Sequence, residues 1–253
     1  TDIVGTGGDG ASLFNVSTAS AFVAAAGGAR IAKHGNRSVS SKSGAADVLE
    51  TAGVRLELTP DQVREAVDTL NVGFLFAPVH HSAMRHAVLP RKEIGVRTMF
   101  NLLGPLTNPA GATRQVLGVF DARWLRPLAE ALGELGGERV LVIHSDDGLD
   151  EFSIAAPTRV AELKGGEVRE FTFDPDRVGL RGSLDGLAVV NALESLEIIR
   201  GALGGTAGPA ADIIALNAGA ALYVAGRADT LEAGIEQARA LLADGEPLNR
   251  LEA

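Results

Sequence analysis

Residues 1–37 read TDIVGTGGDGASLFNVSTASAFVAAAGGARIAKHGNR, and the order of the segments in this stretch determines the fold class. An apolar run at residues 2–4 stops at a glycine loop, and residues 15–26 form a small apolar segment that ends at two glycines. A second apolar run follows at residues 29–32. The stretch predicts strand, loop, helix and strand, which is the repeating unit of α/β domains.

The rest of the chain continues the alternation of strands and helices. Further strands are predicted at residues 73–77, 116–120 and 140–144, and further helices at 45–52, 60–70, 80–98 and 124–135. Residues 160–173 predict a β-hairpin around Gly165-Gly166, and helices follow at 193–203, 212–225 and 230–243. We therefore expect one α/β domain over residues 1–253, with a mostly parallel central sheet flanked by helices and a hairpin excursion.

Composition limits the classes of function. Apolar residues make up 46% and charged residues 22% of 253, which excludes a disordered chain. The net charge of −9 argues against general binding to nucleic acid or to anionic membranes. The chain has no cysteine, which excludes thiolate chemistry and fits a reducing compartment, so we expect a cytoplasmic location.

The glycine loop GTGGDG at residues 5–10 is a candidate anion site, because glycine lets backbone N–H groups approach a ligand closely. It also matches the dinucleotide pattern G-x-G-x-x-G. Two features disfavour that interpretation: the helix starts several residues after the glycines, and the second strand ends in Lys33-His34 rather than in an acidic residue. A turn without a ligand remains an alternative. The next string, Asn15-Val16-Ser17-Thr18, predicts helix capping and could also direct hydroxyls at a phosphate or a metal.

A basic loop follows the second strand, with sequence KHGNRSVSSKS at residues 33–43. In a parallel sheet the carboxyl ends of the first two strands lie side by side, so this loop and the glycine loop should face one pocket that suits a polyphosphate. A solvated charged loop is the alternative. An acidic loop with Asp146, Asp147, Asp150 and Glu151 follows the strand at 140–144. Adjacent carboxylates favour Mg²⁺, although an acidic surface loop is equally compatible with them.

Taken together, these strings resemble the anthranilate phosphoribosyltransferases, within the nucleoside phosphorylase/phosphoribosyltransferase-like family. The resemblance runs nearly from end to end. The matching strings are GTGGD at 5–9, NVST at 15–18, KHGNR at 33–37, PRKE at 90–93, GPLTNP at 104–109, Asp150-Glu151 and LNAGA at 216–220.

The resemblance implies transfer of a phosphoribosyl group from phosphoribosyl pyrophosphate to the amine of anthranilate, with Mg²⁺ as the cofactor. The metal would be held by Ser17, Asp150 and Glu151, and anthranilate would meet Gly5, Asn36 and Arg91. The residues implied for phosphoribosyl pyrophosphate are Gly5, Gly8, Asp9, Asn15, Val16, Ser17, Thr18, Lys33, His34, Gly35, Asn36, Arg37, Ser38, Val39, Ser40, Ser41 and Ala45. No general base is assigned, because the amine is already nucleophilic; His34 is interpreted as structural rather than catalytic.

Three features depart from the family pattern. Leu13 and Ala45 stand where a hydroxyl residue is usual or frequent. The chain also starts directly in a strand, where relatives carry an N-terminal helical domain. The helical segment at 81–103 would pack with that domain and leave an apolar face exposed without it. The resemblance also implies that this domain forms the contact of a homodimer when it is present.

Two alternative functions are compatible with the same general fold. A pyrimidine nucleoside phosphorylase would bind phosphate and a nucleoside, and the complete KHGNR string and Asp150-Glu151 speak against it. A nucleic-acid-binding relative of the same fold would need a basic face, whereas the pI is near 5.1. We therefore expect small-molecule substrates, with neither nucleic acid nor membrane as a partner.

Overall fold

The computed structural model describes residues 1–7, 10–38, 42–81 and 99–253. Its strands are β1 (Asp2–Gly5), β2 (Ile31–Gly35), β3 (Val72–Phe76), β4 (Arg114–Gly118), β5 (Arg139–Ser145), β6 (Thr158–Lys164) and β7 (Glu167–Phe173). Its helices are α1 (Val16–Ala26), α2 (Ala45–Thr51), α3 (Pro60–Leu70), α4 (Ala77–His80), α5 (Phe100–Leu103), α6 (Leu125–Glu134), α7 (Ala192–Leu203), α8 (Pro209–Val224), α9 (Leu231–Asp244) and α10 (Glu246–Glu252). Strands and helices alternate over the first half, which confirms the predicted α/β class.

The strands form a five-stranded sheet of order β1-β4-β5-β6-β7 and a two-stranded sheet of β2 and β3. The pairs β1–β4, β4–β5 and β2–β3 are parallel. The predicted hairpin is β6–β7, which pairs in antiparallel register and adds to the open side of β5. Gly165 and Gly166 form its two-residue turn with φ of 62° and 83°, values that suit glycine in this kind of turn. Three of the five strand pairs are thus parallel, and the two antiparallel pairs are those that involve the predicted hairpin.

Small residues allow the helices on one face of the sheet to pack closely. Helix α8 is buried on all sides from Ile213 to Val224 and packs against α1 and α9. A Cβ at Gly219 would clash with the Ile235 backbone, and a Cβ at Gly234 would clash with the Gly219 carbonyl. The α8–α9 crossing therefore requires both glycines, which accounts for part of the high glycine content.

The segment predicted as helical at 80–98 lies almost wholly outside the described residues. Beside it, Met99 and Leu103 at the start and end of α5 are 66% and 39% exposed. Packing of segment 81–103 against a further domain stays a prediction. Within the described ranges, no helix combines the length and the apolar character that a membrane span requires.

One buried amide ties helix α8 to the loop after β5. Asn217 donates from Nδ2 to the carbonyls of Phe152 and Ile213, each at 2.9 Å, and its Oδ1 accepts the Phe152 N–H at 2.9 Å. The side chain therefore satisfies both backbone groups of Phe152 in the way a neighbouring strand would. Phe152 directly follows Asp150-Glu151, so the helical core fixes the position of that acidic pair.

We predict that Asn217→Leu lowers the free energy of unfolding by about 2–4 kcal/mol, because two buried backbone groups lose their partners. Urea denaturation followed by circular dichroism measures the change. Asn249→Leu, at an exposed position of α10, is the matched control and should stay within about 0.5 kcal/mol of the parent. A loss below about 1 kcal/mol for Asn217→Leu would contradict this assignment.

Candidate functional site

A cavity of about 310 Å³ lies at the carboxyl ends of β1, β2 and β5. Four segments line it: the glycine loop, the first turn of α1, the loop after β2 and the loop after β5. The predicted site residues that line it are Gly5, Asn15, Val16, Ser17, Lys33, His34, Gly35, Asn36, Arg37, Ser38, Ala45, Asp150 and Glu151. Residues that were predicted from separate motifs are thus brought to one cavity.

Some predicted residues are placed elsewhere or are not described. Thr18 is buried behind the cavity, and its hydroxyl donates to Asn15 Oδ1. The predictions for Gly8, Asp9, Val39, Ser40, Ser41 and Arg91 lie outside the described residues. Leu13 and Ala45, the two departures from the family pattern, both line the cavity and present no hydroxyl.

The glycine loop packs directly against the acidic loop. The Gly7 N–H donates to Asp150 Oδ2 at 2.7 Å, and Gly7 has a φ of 66°. A Cβ at Gly5 would overlap the Asp150 carboxylate, and one at Gly118 would overlap the Asp150 carbonyl oxygen. Glycine at these positions therefore lets Asp150 approach the ends of β1 and β4. Gly118 was missed by the sequence analysis, although a glycine at the end of a predicted strand is a usable signal.

The acidic loop separates into two pairs. Asp146 forms an ion pair with Arg159 at 2.8 Å, and Asp147 accepts the Ser153 hydroxyl at 2.6 Å. These two carboxylates stabilise the conformation of the acidic loop, whereas Asp150 and Glu151 line the cavity. The residue pattern alone did not distinguish the two pairs, because both consist of adjacent acidic residues; the family resemblance singled out Asp150 and Glu151.

Lys33 places a buried cation at the base of the cavity. Its Nζ donates to the Ile3 carbonyl at 2.6 Å and to Ser17 Oγ at 3.1 Å. Burial lowers the pKa of Lys33, and the nearby carboxylates Asp2, Glu151 and Asp150 oppose that shift. Ser17, in the first turn of α1, thus lies beside a buried cation and lines the same cavity as the acidic pair.

Arg37 lines the cavity but already has carboxylate partners. Its guanidinium binds Glu50 through two nitrogens at 2.7 and 2.8 Å and binds Asp47 at 3.1 Å. These hydrogen bonds raise the pKa of Arg37. A phosphate at this rim would have to compete with Glu50, which the sequence pattern did not indicate.

Asp47 organises the loop after β2. Its Oδ2 accepts the backbone N–H groups of Ser38 at 3.1 Å and Gly44 at 3.0 Å. Asp47 was not predicted from the sequence, although an acidic residue three positions after a helix cap is a recognisable capping signal. Asn101, which lines the cavity from α5 just before the GPLTNP string, was not predicted either.

The expected side-chain cap at α1 is not formed. Asn15 occupies the cap position without a side-chain hydrogen bond to the helix backbone, because its Oδ1 accepts the Thr18 hydroxyl and its Nδ2 donates to the Ser43 carbonyl at 3.5 Å. The first turn of α1 therefore meets the cavity with backbone groups that its own cap residue does not satisfy. Helix N-termini of this kind favour anions.

His34 is held in a neutral environment beside a second histidine. It is 5% exposed, and its Nε2 lies 3.2 Å from Nε2 of His81. Burial, followed by the neighbouring His81 and Lys33, lowers the pKa of His34 to about 4. A neutral, partnered imidazole agrees with the structural interpretation of this residue.

Comparison with known proteins identifies the family. The profile of the family described as "Glycosyl transferase family, a/b domain" matches residues 1–248. Anthranilate phosphoribosyltransferase from Alkalilimnicola ehrlichii is 60% identical over 253 residues, covering 100% of this chain and 75% of that protein.

Solved structures give the same result. The crystal structure of anthranilate phosphoribosyltransferase from Thermus thermophilus is 51% identical, with a TM-score of 0.93, covering 99% of this chain and 75% of that one. The enzyme from Saccharomyces cerevisiae in complex with PRPP and Mg is 31% identical, with a TM-score of 0.88, covering 99% and 71%. This chain therefore belongs to the anthranilate phosphoribosyltransferase family.

Proposed function

We propose that this protein transfers the 5-phosphoribosyl group of phosphoribosyl pyrophosphate to anthranilate, in tryptophan biosynthesis. The bond from ribose C1 to the pyrophosphate oxygen breaks, the amine nitrogen bonds to C1 and loses a proton, and N-(5-phosphoribosyl)anthranilate and pyrophosphate are released. The observation that carries the proposal is the contact of Gly7 with Asp150, which brings the glycine loop and the acidic pair to one cavity. Family membership supports the same reaction.

The cavity offers two positive groups that can stabilise a departing diphosphate. Lys33 uses two of its three ammonium protons on Ile3 and Ser17, which leaves one for a pyrophosphate oxygen. The first turn of α1 adds backbone N–H groups and a positive dipole end. Since the amine is already a nucleophile, the residues chiefly have to position it and stabilise the departing charge.

The donor set fits Mg²⁺. Asp150 and Glu151 line the cavity together, and Ser17 Oγ lies beside the Lys33 ammonium. Among the described residues no group of three or more His, Cys, Asp or Glu could hold a metal ion by itself. An ion bound by these two carboxylates would need water and substrate oxygens to complete its coordination, as Mg²⁺ commonly does. Bound there, Mg²⁺ would supply positive charge to the leaving pyrophosphate.

The direct test is anthranilate fluorescence, followed with and without phosphoribosyl pyrophosphate and Mg²⁺, on the protein with any natural sequence that flanks residues 1–253. Fluorescence should fall only when both are present, and pyrophosphate should appear in equal amount. Consumption of a nucleoside with phosphate instead would establish the phosphorylase alternative. By family likeness we also propose a homodimer in the cytoplasm, and light scattering on the same sample tests the oligomeric state.

For the acidic pair, we predict that Asp150→Asn combined with Glu151→Gln lowers kcat by about 10²–10³-fold, because the metal loses both carboxylates. Magnesium titrations of turnover and of isothermal binding heat measure the effect. Asp185→Asn combined with Glu197→Gln removes two exposed carboxylates outside the cavity and is the control. Turnover in the first variant equal to that of the control would remove the metal assignment.

For Arg91, assigned by family likeness alone, we predict that Arg91→Ala raises the KM for anthranilate about ten- to a hundredfold, because a carboxylate loses a bidentate partner. Arg91→Lys should fall between Arg91→Ala and the parent. Steady-state kinetics with each substrate varied in turn separates the effects. A rise confined to the KM for phosphoribosyl pyrophosphate would place Arg91 at the other substrate.

For His34, we predict a pH-dependent stability. The folded-state pKa of about 4 lies below the unfolded value near 6.5, so the unfolded chain binds the proton first as the pH falls. The free energy of unfolding should therefore decrease between pH 6.5 and 4, by up to about 3 kcal/mol. Urea denaturation across this window measures it, and His34→Gln should flatten the profile. An unchanged slope in His34→Gln would show that other groups cause the loss.

A further inference from the structure

The GPLTNP string at residues 104–109 contains a residue, Asn108, that bridges β1 and β2 although it belongs to neither strand. Its Nδ2 donates to Asp2 Oδ2 at 2.8 Å and to the Ala32 carbonyl at 2.9 Å. Its Oδ1 accepts the Ala110 N–H at 2.8 Å, which orients the amide toward the strands. One side chain outside the sheets therefore contacts the first residue of β1 and the second residue of β2.

The backbone pairing of β1 with β2 starts and then stops at this point. The Thr1 nitrogen donates to the Arg30 carbonyl, and the Thr1 carbonyl accepts from the Ala32 N–H, each at 2.9 Å, which is the pattern of a parallel ladder. Continued by one step, the ladder would join the Ile3 N–H to the Ala32 carbonyl and the His34 N–H to the Ile3 carbonyl. The two strands instead belong to separate sheets.

Side chains take three of those four ladder positions. Asn108 donates to the Ala32 carbonyl, Asp2 Oδ1 accepts the His34 N–H at 3.1 Å, and Lys33 Nζ donates to the Ile3 carbonyl at 2.6 Å. These three backbone groups therefore keep hydrogen-bond partners where the strands part.

The gap so formed is the base of the cavity. Residues of both strands line it, namely Val4 and Gly5 of β1 and Lys33 to Gly35 of β2. Strands in a continuous ladder lie about 4.8 Å apart, and the loops that follow them would be drawn together. We infer that Asn108 and Asp2 are positioning residues that hold β1 and β2 apart and so set the spacing between the two loops that grip the diphosphate.

Asp2 suits this role because it is fully buried with its acceptors engaged. Both carboxylate oxygens accept hydrogen bonds, from Asn108 and from His34, and the Lys33 ammonium faces the carboxylate electrostatically. The pair is also directional, since an amide donates to a carboxylate. Replacing the amide with a second carboxylate would turn the attraction into repulsion.

The test compares Asn108→Asp with the double variant Asp2→Asn plus Asn108→Asp, which exchanges the amide and the carboxylate. This inference rests on the proposed function, so KM and kcat are measured with phosphoribosyl pyrophosphate and anthranilate. Asn108→Asp should raise the KM for phosphoribosyl pyrophosphate about tenfold or more, with a smaller change in kcat and in the KM for anthranilate. The double variant should recover part of the loss, because the exchanged amide can donate to the exchanged carboxylate, while the Ala32 carbonyl lacks its donor in both variants.

A second readout needs no substrate. Amide hydrogen exchange at His34 should speed up at least about tenfold in Asn108→Asp, because Asp2 moves away from its N–H, and should slow again in the double variant. Asn249→Asp, the same change at an exposed position, is the control and should alter neither readout. Should Asn108→Asp fail to fold, Asn108→Ser, which only shortens the reach, takes its place.

The outcomes separate cleanly. A parent protein that consumes no anthranilate would refute the proposed function, while His34 exchange would still decide the positioning role. Unchanged KM and unchanged exchange in Asn108→Asp or Asn108→Ser would overturn the inference. Equal losses in the single and double variants, with no recovery, would also overturn it, because the pairing of the two side chains would then not matter.

Discussion

The candidate site depends on how closely the loop after β5 can approach the ends of β1 and β4. Asp150 reaches its place because Gly5 and Gly118 carry no side chain there, and the Gly7 N–H then fixes the carboxylate. A methyl group at either glycine would displace the acidic loop from the glycine loop. The charges that would meet a metal and a diphosphate are therefore positioned by backbone contact rather than by long, flexible side chains.

The acidic and basic groups around this contact have separate positions and separate hydrogen-bond partners. The carboxylates Asp150 and Glu151 line the cavity, the Lys33 ammonium lies at its base, and Asp2 lies behind Lys33 with its oxygens engaged. A strongly acidic chain can bind an anionic substrate in this way, because the local arrangement outweighs the net charge of −9 at short range.

The fold class followed from the sequence because periodicity and glycine positions determine it. The bounds of β2 did not: residues 29–32 were predicted, whereas the strand is Ile31–Gly35, since Lys33 and His34 resemble loop residues. Their burial depends on partners distant in sequence, such as Ile3 and Asp2. The first two strands are neighbours, as predicted, but beyond the backbone hydrogen bonds of Thr1 they are joined by side chains. The order of the motifs along the chain predicted that the site residues lie together. The pairing of Arg37 with Glu50 could not be predicted, because no sequence pattern indicates it.

The hairpin β6–β7 forms the end of the five-stranded sheet opposite β1, and it also affects whether strands of other molecules can add to the sheet. In the described part of the chain β7 is an edge strand, and it carries Glu167, Arg169 and Glu170 on exposed positions. An incoming strand from another molecule would have to desolvate these charges before it could extend the sheet. Without the hairpin, β5 would be the edge strand at this end of the sheet. The hairpin covers β5 and replaces it with a charged edge that disfavours aggregation.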